Sequence, residues 1–297
     1  MDILSLLTLY RNASICDVTR RTHILRFIAF IILLIVSFSG QALTYFSDGE
    51  FKDSELFQSL KVLELKHPKP LSNAAIAVGD ASLARALSAS TSYDLIIGVL
   101  VTRDGYINIP AENKRAKNVI PLYIDPPLIL QMYLAELIYS KNVSVLVPRR
   151  KESLRFNGSM DQLKKYFLID DPGRWLRYIP DGVNVVIAHS DSSLFNSANF
   201  TSIAKSLYRR HIGLIGFAPH MTELGAVASV YADRKNTLDV VDLLLSSQGK
   251  VGELLLPEIS IYRVSVNKNL AETFGLGNLD EKSLELKVNK FMRGTKE

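Results

Sequence analysis

The sequence predicts an α/β protein built on parallel sheets, and three observations carry that expectation. Short continuous apolar runs, such as 74–78 and 95–97, have the pattern of strands buried on both faces. Segments with apolar residues at helical spacing alternate with these runs along the whole chain. Turn signals such as Gly79-Asp80 and Asp125-Pro126-Pro127 stand between them. Strands alternating with helices imply parallel sheets covered by helices on both faces. No repeat or Gly/Ser linker divides the chain, so the pattern fits one doubly wound domain or two packed lobes.

In order, Leu56, Phe57, Leu60 and Leu63 recur at helical spacing over 53–65, and His67-Pro68-Lys69-Pro70 stops that helix. A strand over 74–78 leads into an Ala- and Leu-rich helix over 81–89, and further strands follow at 93–101 and 119–124. Two prolines open a strong helix over 128–139. A strand at 143–147 precedes weaker helices at 160–168 and 172–178. Then come a strand at 183–188, a helix at 199–210 and a strand at 212–217. The stretch 222–230 mixes the two types, 238–246 is helical, and 259–266 alternates as a final strand. Helices at 270–274 and 283–292 end the chain.

The N-terminus carries an export signal. Residues 27–38 read FIAFIILLIVSF, Arg20, Arg21 and Arg26 precede them, and Gly40-Gln41-Ala42 follows with small residues at the two inspected positions. The run has 12 residues, short of the roughly 20 that span a bilayer as a helix. Residues 1–42 are therefore expected to be a signal peptide cut after Ala42, with an uncleaved signal anchor as the alternative. Either way the working part is exported, which places it in the periplasm.

Composition agrees. The net charge is +5, and the leader's four Arg and two Asp leave the remainder at +3, with acids and bases interleaved. A nucleic-acid binder would show a denser basic stripe, so no nucleic-acid partner is expected. The only cysteine, Cys16, lies ahead of the apolar run, so the exported part has no disulfide and relies on its core.

Several segments, in this order, resemble the ABC-transporter substrate-binding proteins of the tryptophan/tyrosine type. They are AIAVG at 75–79 with DASLA at 80–84, PLILQMYLAELIYSKNVSVLV at 127–147, VNVVIAHSDSS at 183–193, IGLIGFAPHMTELGAVASVY at 212–231 and NKNLAETFGL at 267–276. The resemblance implies two Rossmann-like lobes with parallel sheets, of the periplasmic-binding-protein type I kind. It divides the chain into a first lobe over 43–125, a second over 126–220, and a return to the first lobe with C-terminal helices over 221–297. It also implies an aromatic amino acid as ligand and a permease with its ATPase as partner. Three departures stand out: only about 30 residues precede the strand at Ala75, which suggests a shortened first lobe; the 191–200 loop is polar; and Asp233-Arg-Lys-Asn-Thr237 replaces the family's Gly-containing helix start.

In open α/β sheets ligands bind beyond the C-terminal ends of the strands. That rule names Asp80, Ala81 and Ser82, then Thr102 and Asp125, then His189, Ser190 and Asp191, and finally Ala218. Tyr123, Phe217 and Tyr231 would supply apolar walls. As an anion, Asp80 would disfavour a carboxylate and favour an amine. Asp80, Ser190 and Asp191 are equally good helix caps, and residues such as Tyr123 and Phe217 are more often plain core. His189, Asp191 and His220 are too few and too scattered for a metal site, so no metal or other cofactor is expected. No Gly-x-Ser-x-Gly elbow accompanies Ser190, and no catalytic residue is assigned. The expected function is capture of a small solute by a monomer for an ABC-type importer. The alternative is a ligand-sensing or orphan module reporting to a membrane receptor.

Overall fold

The computed structural model describes residues 43–47, 55–66, 73–91, 93–110, 113, 118–140, 142–150, 166–169, 171, 173–246 and 261–294. The leader, its Ala42 cleavage position and most of the helix expected over 160–168 lie outside these residues. Among the described residues no helix is long and apolar enough to cross a membrane.

The first sheet holds β1 (Thr44–Ser47), β2 (Ala74–Val78), β3 (Leu95–Val101) and β4 (Asn118–Tyr123), all parallel and in chain order. Helix α1 (Glu55–Lys66) connects β1 to β2, α2 (Asp80–Ser88) connects β2 to β3, and the short α3 (Arg103–Asn108) follows β3. The period of two along β2 sorts its residues. Ala74, Ile76 and Val78 join Leu56, Phe57 and Leu60 of α1 on one face, while Ala75 and Ala77 meet Leu83, Ala86 and Leu87 of α2 on the other. β1 and α3 are absent from the sequence reading. With α1 and β2, β1 forms a full βαβ opening, so the short N-terminal stretch holds a strand as well as a helix.

At Asp125-Pro126-Pro127 the chain leaves this sheet and enters α4 (Leu128–Tyr139), which packs on the second sheet. That sheet contains β5 (Val145–Arg150), β6 (Tyr166–Ile169), β7 (Val185–Ile187), β8 (Gly213–Gly216), β9 (Ala228–Ala232) and β10 (Tyr262–Val266). Their spatial order is β10-β9-β8-β7-β5-β6, and every pairing is parallel except β9 with β10. Helix α5 (Phe200–Tyr208) covers one face with Trp175 and Phe195. α4 and the C-terminal α8 (Glu281–Gly294) cover the other, and the one-and-a-half-turn α7 (Lys268–Thr273) connects β10 to α8.

Two expectations need correction. Residues 166–168, read as the end of a helix, belong to β6 beside β5. Tertiary pairing overrides the helical spacing of a short apolar stretch there. The tail after residue 220 does not return wholesale to the first lobe. β9 and β10 extend the second sheet because β8 offers β9 a free edge, and among the described residues it is α6 (Arg234–Ser246) that crosses back. Val240, Val241, Leu244 and Leu245 of α6 pack beside α1 in the first core.

Candidate functional site

The loops after the strands of both sheets meet between the lobes, and the residues named from the sequence fall there into two groups. The first group is polar and ties the loops to one another. Gly79 takes a φ of 86°, which turns β2 directly into α2 and places Asp80 at the helix start. Asp80 does not cap its own helix. Its Oδ1 accepts the Thr102 backbone N–H at 2.7 Å and its Oδ2 the Thr102 hydroxyl at 2.6 Å. Thr102 in turn caps α3, its Oγ1 accepting the Gly105 N–H at 2.9 Å. Ala81 is exposed, whereas Ser82 is fully buried on α2 and accepts a bond from Arg85 at 3.2 Å.

Asp125 sits at the exit of β4, buried, and bridges the two lobes. Its Oδ1 accepts the Arg103 N–H at 3.0 Å and its Oδ2 accepts the Ser190 hydroxyl at 2.9 Å. Burial lifts its carboxyl above the ordinary value, with the bonds from Arg103 and Ser190 and the Arg103 charge pulling the other way. The Arg103 guanidinium lies 4.2 Å from the centre of the Tyr123 ring. A second link between the lobes joins Asp104 to Arg149 at 3.7 Å.

His189 is buried beyond β7. Its Nε2 donates to the Pro148 carbonyl and its Nδ1 accepts the Asp191 N–H at 3.3 Å, an arrangement that suits the neutral ring. Burial pushes its pKa below the ordinary range, against the opposing pull of the Pro148 bond. Asp191 closes a local turn, its Oδ1 accepting from both Ser193 N–H, at 2.9 Å, and Ser193 Oγ, at 2.6 Å. His220 stays exposed. Among the described residues no three His, Cys, Asp or Glu are placed to hold a metal.

The second group lines a cleft of about 650 Å³, a size suited to a small organic molecule. Phe217, Ala218 and Tyr231 line it together with Leu100 and Ile124 of the first lobe. Leu100 has a φ of 55°, at the point where the β3–β4 register shifts between Val99 and Val101. The charged side comprises Asp233, Arg234 and Lys235, where α6 begins, and Arg263 of β10. The other sequence-named residues (Asp80, Ala81, Ser82, Thr102, Tyr123, Asp125, His189, Ser190 and Asp191) are not in this lining. Leu100, Ile124 and the cations escaped the sequence reading. The unusual Asp233-Arg-Lys run, already visible as a departure from the resembled family, was the signal that could have found the latter.

Between the two groups stands Gln131 of α4, buried, whose Nε2 donates to the carbonyls of Ala188 at 2.7 Å and Gly216 at 3.3 Å. It fixes the ends of β7 and β8, from which the second lobe's contributions emerge.

No family model matches the sequence, and no curated protein matches it. Among solved structures the chain is similar to the ligand-free, open form of a substrate-binding protein with adhesive properties from Clostridium difficile. The identity is 13%, over 80% of this chain and 87% of that one, with a TM-score of 0.52. A conserved domain protein from Vibrio cholerae matches at 17% identity over 77% of this chain and 82% of that one, with a TM-score of 0.47. An ABC domain in complex with L-Trp from Streptococcus pneumonia matches at 14%, over 77% and 84%, with a TM-score of 0.44.

Proposed function

Starting from a chain that has the two-lobed α/β fold of the substrate-binding proteins, as its ordered motifs implied, we propose that it captures a small ligand between its lobes. The observation that carries this reading is the 650 Å³ cleft, with Leu100 and Ile124 from one lobe and Phe217 and Ala218 from the other. A cleft walled by both lobes gives a ligand extra contacts in the closed form, and such differential contact is what drives hinge closure. The N-terminal leader supports an exported, periplasmic protein. The motif order supports delivery to a permease and its ATPase.

Thermal denaturation against a library of amino acids, organic acids, peptides and nucleosides tests the reading. A ligand at 100 times its dissociation constant adds about 2.7 kcal/mol, an upward melting shift of a few degrees. The shift should vanish when Phe217→Asp places a charge in the apolar wall. A folded chain that answers to no compound would overturn ligand capture. Reconstitution with a candidate permease and its ATPase would test delivery, and uptake that does not depend on this chain would sink that part alone.

A further inference from the structure

We propose that the cleft selects an organic carboxylate with an apolar body and no α-ammonium group, an inference that rests on the cleft reading above. The wall is apolar, and two cations, Arg234 and Lys235, lie beside it with no ion-pair partner among the described residues. An amino acid brings a second, positive charge, which needs a carboxylate whose own charge is not already balanced by a cation. Among the described lining residues the one carboxylate is Asp233, and both its oxygens are engaged. Oδ1 accepts the Lys235 N–H at 3.0 Å, and Oδ2 takes the Arg263 Nε at 2.9 Å. Glu285 holds the same guanidinium at 3.4 Å, so Arg263 is anchored from two sides.

The carboxylates at the neighbouring strand ends lie outside this lining and are turned to other donors. Asp80 is engaged through both oxygens by Thr102, and Asp125 by Arg103 and Ser190. An ammonium entering the cleft would share Asp233 with the Arg263 guanidinium and meet the repulsion of Arg234, Lys235 and Arg263, three cations against one carboxylate. A carboxylate meets Arg234 and Lys235 without displacing anything.

Matched sets of compounds, titrated calorimetrically into the full chain, test this. Each set holds an acid, its amide and its α-amino acid: 3-phenylpropionate with 3-phenylpropionamide and L-phenylalanine, indole-3-propionate with its amide and L-tryptophan, and 4-methylvalerate with its amide and L-leucine. In at least one set the acid should bind about tenfold or more tighter than both relatives, the difference one charge-assisted contact makes. Arg234→Gln combined with Lys235→Gln should bring the acid down to the affinity of the amide without moving the melting temperature. An amino acid binding as tightly as its acid would overturn the inference and leave ligand capture standing. Acid binding unaffected by the double substitution would overturn it equally. Failure of every compound to bind the folded chain would overturn the inference, and the wider thermal screen would then decide whether ligand capture stands.

Discussion

Gly105 is the residue on which the polar junction turns. A Cβ there would land on the Asp80 carboxylate, which cannot step aside because Thr102 holds both of its oxygens. Gly105→Ala should therefore cost about 1–3 kcal/mol, read as a lower urea midpoint. Thr102→Val should cost about 1–2 kcal/mol through the lost cap on Gly105 and the lost partner of Asp80. Asp125 makes a prediction about pH. Its carboxyl is raised above 3.8 by burial, so the folded chain holds that proton more tightly than the unfolded chain does. The resulting stability is fully present below 3.8 and is lost as pH rises through the folded value. Asp125→Asn keeps the shape and removes the titration. The stability of the wild type relative to this variant should thus fall between acid and neutral pH, and a flat or rising difference would contradict the burial effect.

Among the elements, Gln131 and Leu100 show opposite uses of a single position. Gln131→Leu would leave the Ala188 and Gly216 carbonyls without their buried donor, at a cost of about 1–3 kcal/mol and a matching drop in melting temperature. Leu100 lies in a backbone region that disfavours a branched side chain, at a cost of about 1–2 kcal/mol. Leu100→Gly removes that strain along with a side chain packed partly against the first core. Its melting temperature should move little while affinity for an apolar ligand falls. A large loss of stability would show instead that Leu100 serves the core.

The same scale shows what the chain made legible. β2 and α4 were readable to the residue because β2 is a continuous apolar run and α4 a mostly apolar one, bounded by a Gly-Asp and a Pro-Pro signal. β1 is four residues of half-buried TYFS and α3 is the polar RDGYIN, so neither carries a periodic signature. β6 has the spacing of a helix and is a strand only because β5 lies beside it. For the site, the strand-end rule reached Phe217, Ala218 and Tyr231 in the cleft. It could not foresee that Asp80 and Asp125 would be engaged by neighbouring loops, since their partners lie up to 65 residues away. Nor could it reach Leu100, which the register shift, and not the sequence pattern, brings to the cleft.

For the whole molecule, two polar links join the lobes among the described residues, Asp125 with Ser190 and Asp104 with Arg149. Each is worth about 1 kcal/mol or less where solvent reaches it, and together they bias the equilibrium between closed and open forms. The double variant Ser190→Ala with Asp104→Asn should open the cleft, seen as a larger radius of gyration in small-angle scattering without ligand. Unchanged scattering would mean that packing alone holds the lobes. The crossing of α6 has a further consequence, in the order of events at the ribosome. The first core takes Val240, Val241, Leu244 and Leu245 from a segment made long after β4 is complete. At translation speeds of about 5–20 residues per second, α1 and β2 wait roughly 10 s for that missing face. Nascent chains truncated before residue 234 should expose the first lobe to protease, while those extended past residue 246 should protect it. The chain thereby stays unfinished until most of it has been synthesised, which suits the export proposed above, since an unfinished chain can still be threaded through a translocation pore.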